Sequence, residues 1–234
     1  GVPEKIMNRE IPEFRIMGDR SLIVYFGEEI DRAVNQRIRR LFCYHHDHPM
    51  EGVIEAIPGY NSLLFLFDPV QTTSNILREG ILERVQAIDN GPIRYPKTVE
   101  IPVIYGGEYG PDLEWVARYH SMEVEEVIRL HTRQIYHVYM IGFTPGFAYM
   151  GELLPALVTP RKETPRTVVP RGSVGLAQEQ TGIYPSESPG GWQIIGRTPL
   201  NLFDPGKMPP TLLQMGDQVR FVSVSREDAE HWQM

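Results

Sequence analysis

The sequence predicts two domains: an α+β unit over residues 1–92 and a mainly β, barrel-like unit over residues 93–234. Three observations predict them. The first part of the chain alternates strand-like and helix-like apolar patterns. Asp89-Asn90-Gly91-Pro92 then interrupts that pattern with four turn formers in a row. Beyond Gln134, short apolar stretches recur between Gly and Pro turns as far as Val224, the pattern of a closed or nearly closed β-barrel.

The elements follow in order. Phe14 to Met17 and Leu22 to Phe26 read as strands around the turn Gly18-Asp19. Ile30 to Tyr44 reads as an amphipathic helix, with Ile30, Val34, Ile38, Leu41 and Phe42 on one face. Val53 to Ile57 and Leu63 to Phe67 are two further strands, and Thr73 to Ile88 is a second helix. That order suggests a small sandwich with both helices on one face of an antiparallel-rich sheet. In the second domain Val99 to Ile104 and Gln134 to Ile141 read as strands. Asp112 to Tyr119 and Val124 to His131 read as short helices, the first capped by Asp112 behind Pro111. Ser225 onward reads as a terminal helix or tail.

Bulk properties narrow the function. The 234 residues are 41% hydrophobic and 23% charged, the balance of an ordinary globular chain. A formal net charge of -7 leaves no global basic field for nucleic acid or anionic lipid. No run of about 20 apolar residues spans a membrane. The opening residues lack an apolar signal core, and Cys43 is the single cysteine, so a cytoplasmic location is expected.

The most informative stretch runs from Gly142 to Pro205. It contains G-F-T-P-G-F-A-Y-M-G (142–151), P-R-K-E-T-P-R (160–166), G-S-V-G (172–175), Q-T-G-I-Y-P (180–185) and P-G-G-W-Q-I-I-G-R-T (189–198). Gly permits close backbone approach and Pro fixes φ, so this segment reads as a shaped surface bearing arginines and aromatics. With Y-G-G-E-Y-G-P-D-L-E (105–114) and G-D-Q-V-R-F (216–221), these blocks resemble the family of 5-oxoprolinase B subunits. That family is also called the Kip-inhibitor (KipI) or allophanate hydrolase subunit 1 family, and its module recurs in urea carboxylases. The resemblance covers nearly the whole chain and implies a cyclophilin-like barrel for the second domain. This chain departs from the family's habit at Ala148, where a proline is frequent, and at Arg171, where alanine is common. Gln178-Glu179 also replaces a pair of small residues.

Arg161, Arg166 and Arg171 stand at five-residue spacing among Pro160, Pro165 and Pro170. A proline-held extended segment keeps these guanidinium groups apart, ready for a carboxylate or phosphate. Structural salt bridges are the alternative. Arg161 and Arg166 are the stronger candidates, with Ser173, Gln180, Thr181, Tyr184 and Trp192 as further substrate contacts; no catalytic residue is identified. Phe143, Phe147, Tyr149 and Trp192 either line an apolar-floored pocket or form core or interface. Lys162 and Glu163 read as solvated surface. Gly191 to Thr198 nearly matches a phosphate-binding G-x-x-x-x-G-K-[ST] loop, but Arg197 replaces the lysine and Pro199 follows, so it reads as a hairpin. His45-His46-Asp47-His48 resembles a metal cluster, yet a solvated helix end explains it better, and no metal is expected. His131 and His137 read as core histidines, and Tyr136 and Tyr139 as barrel filling or rim.

The resemblance implies one component of an ATP-dependent 5-oxoprolinase that opens 5-oxo-L-proline to L-glutamate. ATP would phosphorylate the amide oxygen before hydrolysis, at a site this chain does not reveal. The implied partners are an allophanate hydrolase subunit 2-type protein (the C subunit of 5-oxoprolinase) and the A subunit of 5-oxoprolinase. The isolated chain is expected to be inactive. The resemblance also allows a KipI-like inhibitor of a sensor histidine kinase, or a urea- or allophanate-processing component. Prolyl isomerase activity has only the barrel likeness behind it.

Overall fold

The computed structural model describes residues 11–29, 31–89 and 96–232. Chain contacts divide it into two units, Gly1–Tyr95 and Pro96–Met234. The expected boundary at Asn90 to Pro92, and Ile30 at the expected start of the first helix, lie outside the described residues.

The first unit runs β1 (Glu13–Ile16), β2 (Ser21–Tyr25), α1 (Arg32–Asp47), β3 (Val53–Pro58), β4 (Ser62–Phe67) and α2 (Ser74–Asp89). The four strands form one antiparallel sheet in the order β1-β2-β4-β3. Alternation along β4 buries Leu63, Phe65 and Phe67 on one face. α1 packs on β3, β4 and α2, burying Val34, Ile38 and Leu41. It begins where it does because the Asp31 carboxylate accepts from the amides of Ala33 and Val34 at 2.8 and 3.0 Å. His45, near its end, is buried with its ring edge on Phe65, while His48 stacks on Tyr44. Among the described residues no group of His, Cys, Asp or Glu is arranged to hold a metal.

The second unit continues with β5 (Thr98–Tyr105), α3 (Leu113–Tyr119), α4 (Val124–Arg133), β6 (Ile135–Ile141) and β7 (Ala148–Gly151). Six short strands follow: β8 (Arg166–Val169), β9 (Ser173–Ala177), β10 (Gln180–Ile183), β11 (Ser188–Gly190), β12 (Gln193–Arg197) and β13 (Gln218–Ser223). α5 (Arg226–Glu230) completes the unit, capped by Ser225, whose hydroxyl accepts from Asp228 N at 3.0 Å. Seven strands close a barrel in the order β10-β7-β6-β13-β5-β12-β9, so the mainly β barrel expected from sequence is present. β8 and β11 form a separate two-stranded ribbon. The near match to a phosphate loop is therefore the barrel strand β12, whose backbone is spent on its neighbours β5 and β9.

Strand alternation gives the barrel wall two faces. Val99, Ile101, Val103, Tyr136, Val138, Met150, Val174, Leu176 and Ile183 fill the inside with Leu113, Val116, Val127 and Leu130 of the helices. Phe147, Val169, Ala177, Tyr184, Trp192 and Ile194 form a second cluster on the outside. Each fully buried side chain of this size contributes roughly 1.5–3 kcal/mol. Among the described residues no helix is long and apolar enough to cross a membrane.

His131 enters the inner core from α4 and stacks on Phe221 at 4.5 Å. Its Nε2 lies 3.0 Å from Thr181 Oγ1, and its Nδ1 lies 2.7 Å from the Tyr105 hydroxyl. The Thr181 hydroxyl already donates to the Gly175 carbonyl at 3.1 Å. Thr181 must therefore accept from His131 Nε2–H, and Nδ1 must accept from Tyr105. Complete burial pushes the His131 pKa down to about 3 and holds the imidazole neutral. The same burial raises the Tyr105 phenol far above its ordinary range. His131 is thus a satisfied core histidine joining α4 to β5 and β10.

Candidate functional site

The outer cluster owes its shape to glycine. Gly175 and Gly182 face each other across β9 and β10. A Cβ on Gly182 would sit 2.9 Å from Trp192 and 3.0 Å from Phe147. A Cβ on Gly175 would sit 3.0 Å from Trp192. Without those two side chains the Trp192 and Phe147 rings lie directly on the wall, edge to face at 5.5 Å. Tyr149 and Tyr184 extend the surface, at 4.7 and 5.1 Å from Phe147. Tyr184 also receives a hydrogen bond from the Trp192 backbone amide.

Phe143 adds an exposed edge. It packs on Phe147 at 5.9 Å while remaining 68% exposed. Its φ of 68°, with Thr144 N donating to Gly142 O at 2.9 Å, marks a strained γ-turn. Of the sequence alternatives of pocket lining, core and interface, core applies to Phe147 and Trp192, which are 1% and 5% exposed, while Tyr149 is half-buried and Phe143 is exposed. Phe147 and Trp192 form a buried aromatic floor packed against Tyr149, and Phe143 forms the exposed end of the cluster.

Two arginines approach this surface in different ways. Burial raises the phenol pKa values of Tyr149 and Tyr184, and the Arg161 charge opposes the rise at both. Arg161 is exposed and, among the described residues, has no ion pair. Arg166 is committed elsewhere: its Nη2 donates to Asp112 Oδ1 at 2.7 Å, and its buried Nη1 has no partner. The structural alternative raised for these arginines therefore applies to Arg166. Arg171 is exposed in the turn before β9.

Asp112 departs from the sequence expectation. It occupies the N-cap position of α3 but makes no capping hydrogen bond with its side chain. Its Oδ2 instead accepts from the Ile194 amide at 2.7 Å, and Oδ1 accepts from Arg166 and from Lys162 Nζ at 3.3 Å. Burial alone would push the carboxyl up; bonds from Arg166 and Ile194, with the Arg166 and Lys162 charges, outweigh it and hold the pKa below the usual range. Lys162 is therefore not free surface: it is only 28% exposed and helps fix the segment before β8. Gln193 braces the same segment through Pro160 O at 3.2 Å, while its Oε1 is buried without a partner. Glu163 is exposed.

The remaining sequence candidates separate by face. Tyr184 and Trp192 belong to the outer aromatic cluster, where both are buried. Gln180 starts β10 half-buried. Thr181 does not join them: alternation turns it inward, where its hydroxyl is spent on His131 and Gly175. Ser173 is wholly buried, with its Oγ unpartnered, opposite Arg197. Tyr136 faces inward and donates to His131 O, and Tyr139 donates to the Glu152 carboxylate. The sequence reading missed Asp112 and Gln193 as organising residues because their partners lie 82 and 33 positions away.

Comparison with known proteins places this arrangement in a class. Residues 12–213 match the family model described as carboxyltransferase domain, subdomain C and D. The 5-oxoprolinase B subunit of Bacillus subtilis (strain 168) is 43% identical over 222 residues, 91% of this chain and 92% of that protein. The 5-oxoprolinase B subunit of Haemophilus influenzae is 45% identical over 188 residues, 80% of this chain and 87% of that protein. The crystal structure of TTHA0988 is similar at a TM-score of 0.77 and 37% identity, covering 88% of this chain. This chain spans only 40% of the length of TTHA0988. The chain belongs to the family of 5-oxoprolinase B subunits.

Proposed function

We infer that the chain is the B subunit of an ATP-dependent 5-oxoprolinase complex and offers Arg161 to the substrate carboxylate. The observation that carries the reading is an exposed arginine without an ion pair, beside two phenols and an aromatic floor. 5-Oxo-L-proline has one carboxylate on a flat five-membered lactam. Its carboxylate fits two parallel hydrogen bonds from a guanidinium, and its ring fits against half-buried Tyr149 and exposed Phe143. Arg166, Lys162 and Asp112 hold the segment that carries Arg161, which lowers the ordering cost of binding. ATP would phosphorylate the amide oxygen and so activate the ring carbon for water; the C–N bond then breaks with nitrogen leaving as the amine, and the acyl phosphate left behind is hydrolysed to carboxylate and phosphate. The A subunit and the C subunit, the latter an allophanate hydrolase subunit 2-type protein, complete the site, in the cytoplasm. The closed seven-strand barrel supports the cyclophilin-like description of this unit.

The test is co-purification with the A and C subunits, followed by 5-oxoproline-dependent ATP hydrolysis and glutamate release. The chain alone gives no turnover. Arg161→Lys keeps the charge but loses the planar fork, and an intact complex carrying it should lose about 30-fold or more in kcat/KM. An assembled Arg161→Lys complex working at the wild-type rate would remove Arg161 from the site.

A further inference from the structure

A second polar feature on the outer wall is not used by that reading. β12 pairs Arg197 with Ile104 of β5 on one side and with Ser173 of β9 on the other. Arg197 is half-buried, its Nε is shielded from water, and among the described residues that atom has no acceptor. The wholly buried Ser173 Oγ beside it is also unpartnered. The Arg197 guanidinium lies 5.5 Å from the ring centroid of Tyr109. A cation partly removed from water without a counter-anion is unfavourable unless something supplies one. Among the described residues no carboxylate pairs with it.

Beside Arg197 is a cavity of about 180 Å³, lined also by Ile104, Tyr109, Thr198, Arg226 and Glu230. Arg226 and Glu230 are 3.6 Å apart at the exposed lip, with 70% and 66% of their side chains exposed, so that pair is weak and easily exchanged. Thr198 Oγ1 accepts from Leu200 N at 3.3 Å, which leaves its hydroxyl proton free to donate. We propose that this cavity binds a small phosphate-bearing ligand, with the oxyanion held between Arg197 and Arg226. A guanidinium presents a planar fork that matches two phosphate oxygens. Ile104 and the Tyr109 ring give the floor an apolar portion. The room equals several waters at about 30 Å³ each, enough for one phosphate and a small attached group. The site uses a side-chain cation on a strand, so it needs none of the loop geometry that β12 lacks. It stands independently of the role given to Arg161.

The experiment is calorimetric titration of the full chain at low ionic strength with inorganic phosphate, pyrophosphate and ATP. Binding of at least one is expected, weakening as salt is raised. Phosphate binding identifies the free anion as sufficient, and binding of ATP alone identifies the end of a nucleotide. Arg197→Met should weaken binding about tenfold or more. Arg226→Ala, at an exposed position, should weaken it about threefold, and Glu230→Gln should strengthen it about threefold by removing the carboxylate at the lip. These two surface variants decide the matter if Arg197→Met does not fold. Failure of all three probes to bind overturns the proposal. So does binding that ignores Arg197→Met, or that ignores both Arg226→Ala and Glu230→Gln.

Discussion

Replacing Asp112 by alanine removes one carboxylate on which three parts of the second unit converge. The Ile194 amide in β12 loses its acceptor at 2.7 Å, and Arg166, only 26% exposed, loses its one acceptor among the described residues, also at 2.7 Å. An orphaned buried amide costs about 1–3 kcal/mol. Breaking a buried ion pair by removing one partner costs about 3–5 kcal/mol, less where one partner still reaches water. The Lys162 contact at 3.3 Å is looser and adds little. The expected loss is about 4 kcal/mol, or roughly 8–16 °C in Tm for a chain of this size. Asp112→Asn retains an oxygen for Ile194 but not the charge, so it should lose about half as much. Urea unfolding of both variants, with Arg166→Met completing a double-mutant cycle, measures these quantities. The Asp112–Arg166 coupling should be about 1–3 kcal/mol. An alanine variant as stable as wild type, with coupling near zero, would refute this account of the cluster.

Two further outcomes follow from the barrel. Because burial depresses the His131 pKa to about 3, the unfolded chain binds a proton below its ordinary 6.5 while the folded chain does not. The stability from a neutral His131 is therefore complete above pH 6.5 and is lost as pH falls from there toward 3. Between pH 6.5 and 5 the loss should be about 2 kcal/mol, and His131→Phe should flatten that limb of the stability–pH curve; parallel curves for the two proteins would contradict it. Gly182→Ala places a methyl against Trp192 and Phe147 at 2.9 and 3.0 Å and should cost about 1–3 kcal/mol, with a changed Trp192 fluorescence spectrum. An unaltered spectrum and midpoint would mean that the aromatic floor does not rest on that glycine.

The free Arg161 and the paired Arg166 show how neighbouring residues of one type take different roles. Both occur in a proline-bounded segment, and sequence spacing treats them alike. Arg166 begins strand β8, where it reaches a carboxylate on a distant loop; Arg161 precedes the strand and reaches none among the described residues. One arginine and one lysine thus hold the segment, and the other arginine has no ion pair among the described residues.

Local chemistry made much of this protein legible in sequence. Alternation in Leu63 to Phe67, helical spacing in Val34, Ile38 and Leu41, and the Gly and Pro punctuation after Gln134 each act over a few residues. The elements they predict are present, with ends shifted by at most three residues. Ordered blocks such as G-F-T-P-G-F-A-Y-M-G carried the family, because a run of constrained residues has few alternative explanations. The wall face of Thr181 depended on strand register, and a shift of one residue would have turned it outward. Asp112 had the residue type and place of a helix cap, but both its oxygens are taken by the Ile194 amide, 82 positions away, and by Arg166 and Lys162. Arg197 belonged to a failed loop motif until barrel closure set it beside a cavity, with no carboxylate paired to it among the described residues. Sequence determined the elements and the residue chemistry, because both are local. Tertiary structure decided which charges are paired and which remain open, because pairing depends on distances that only chain closure creates.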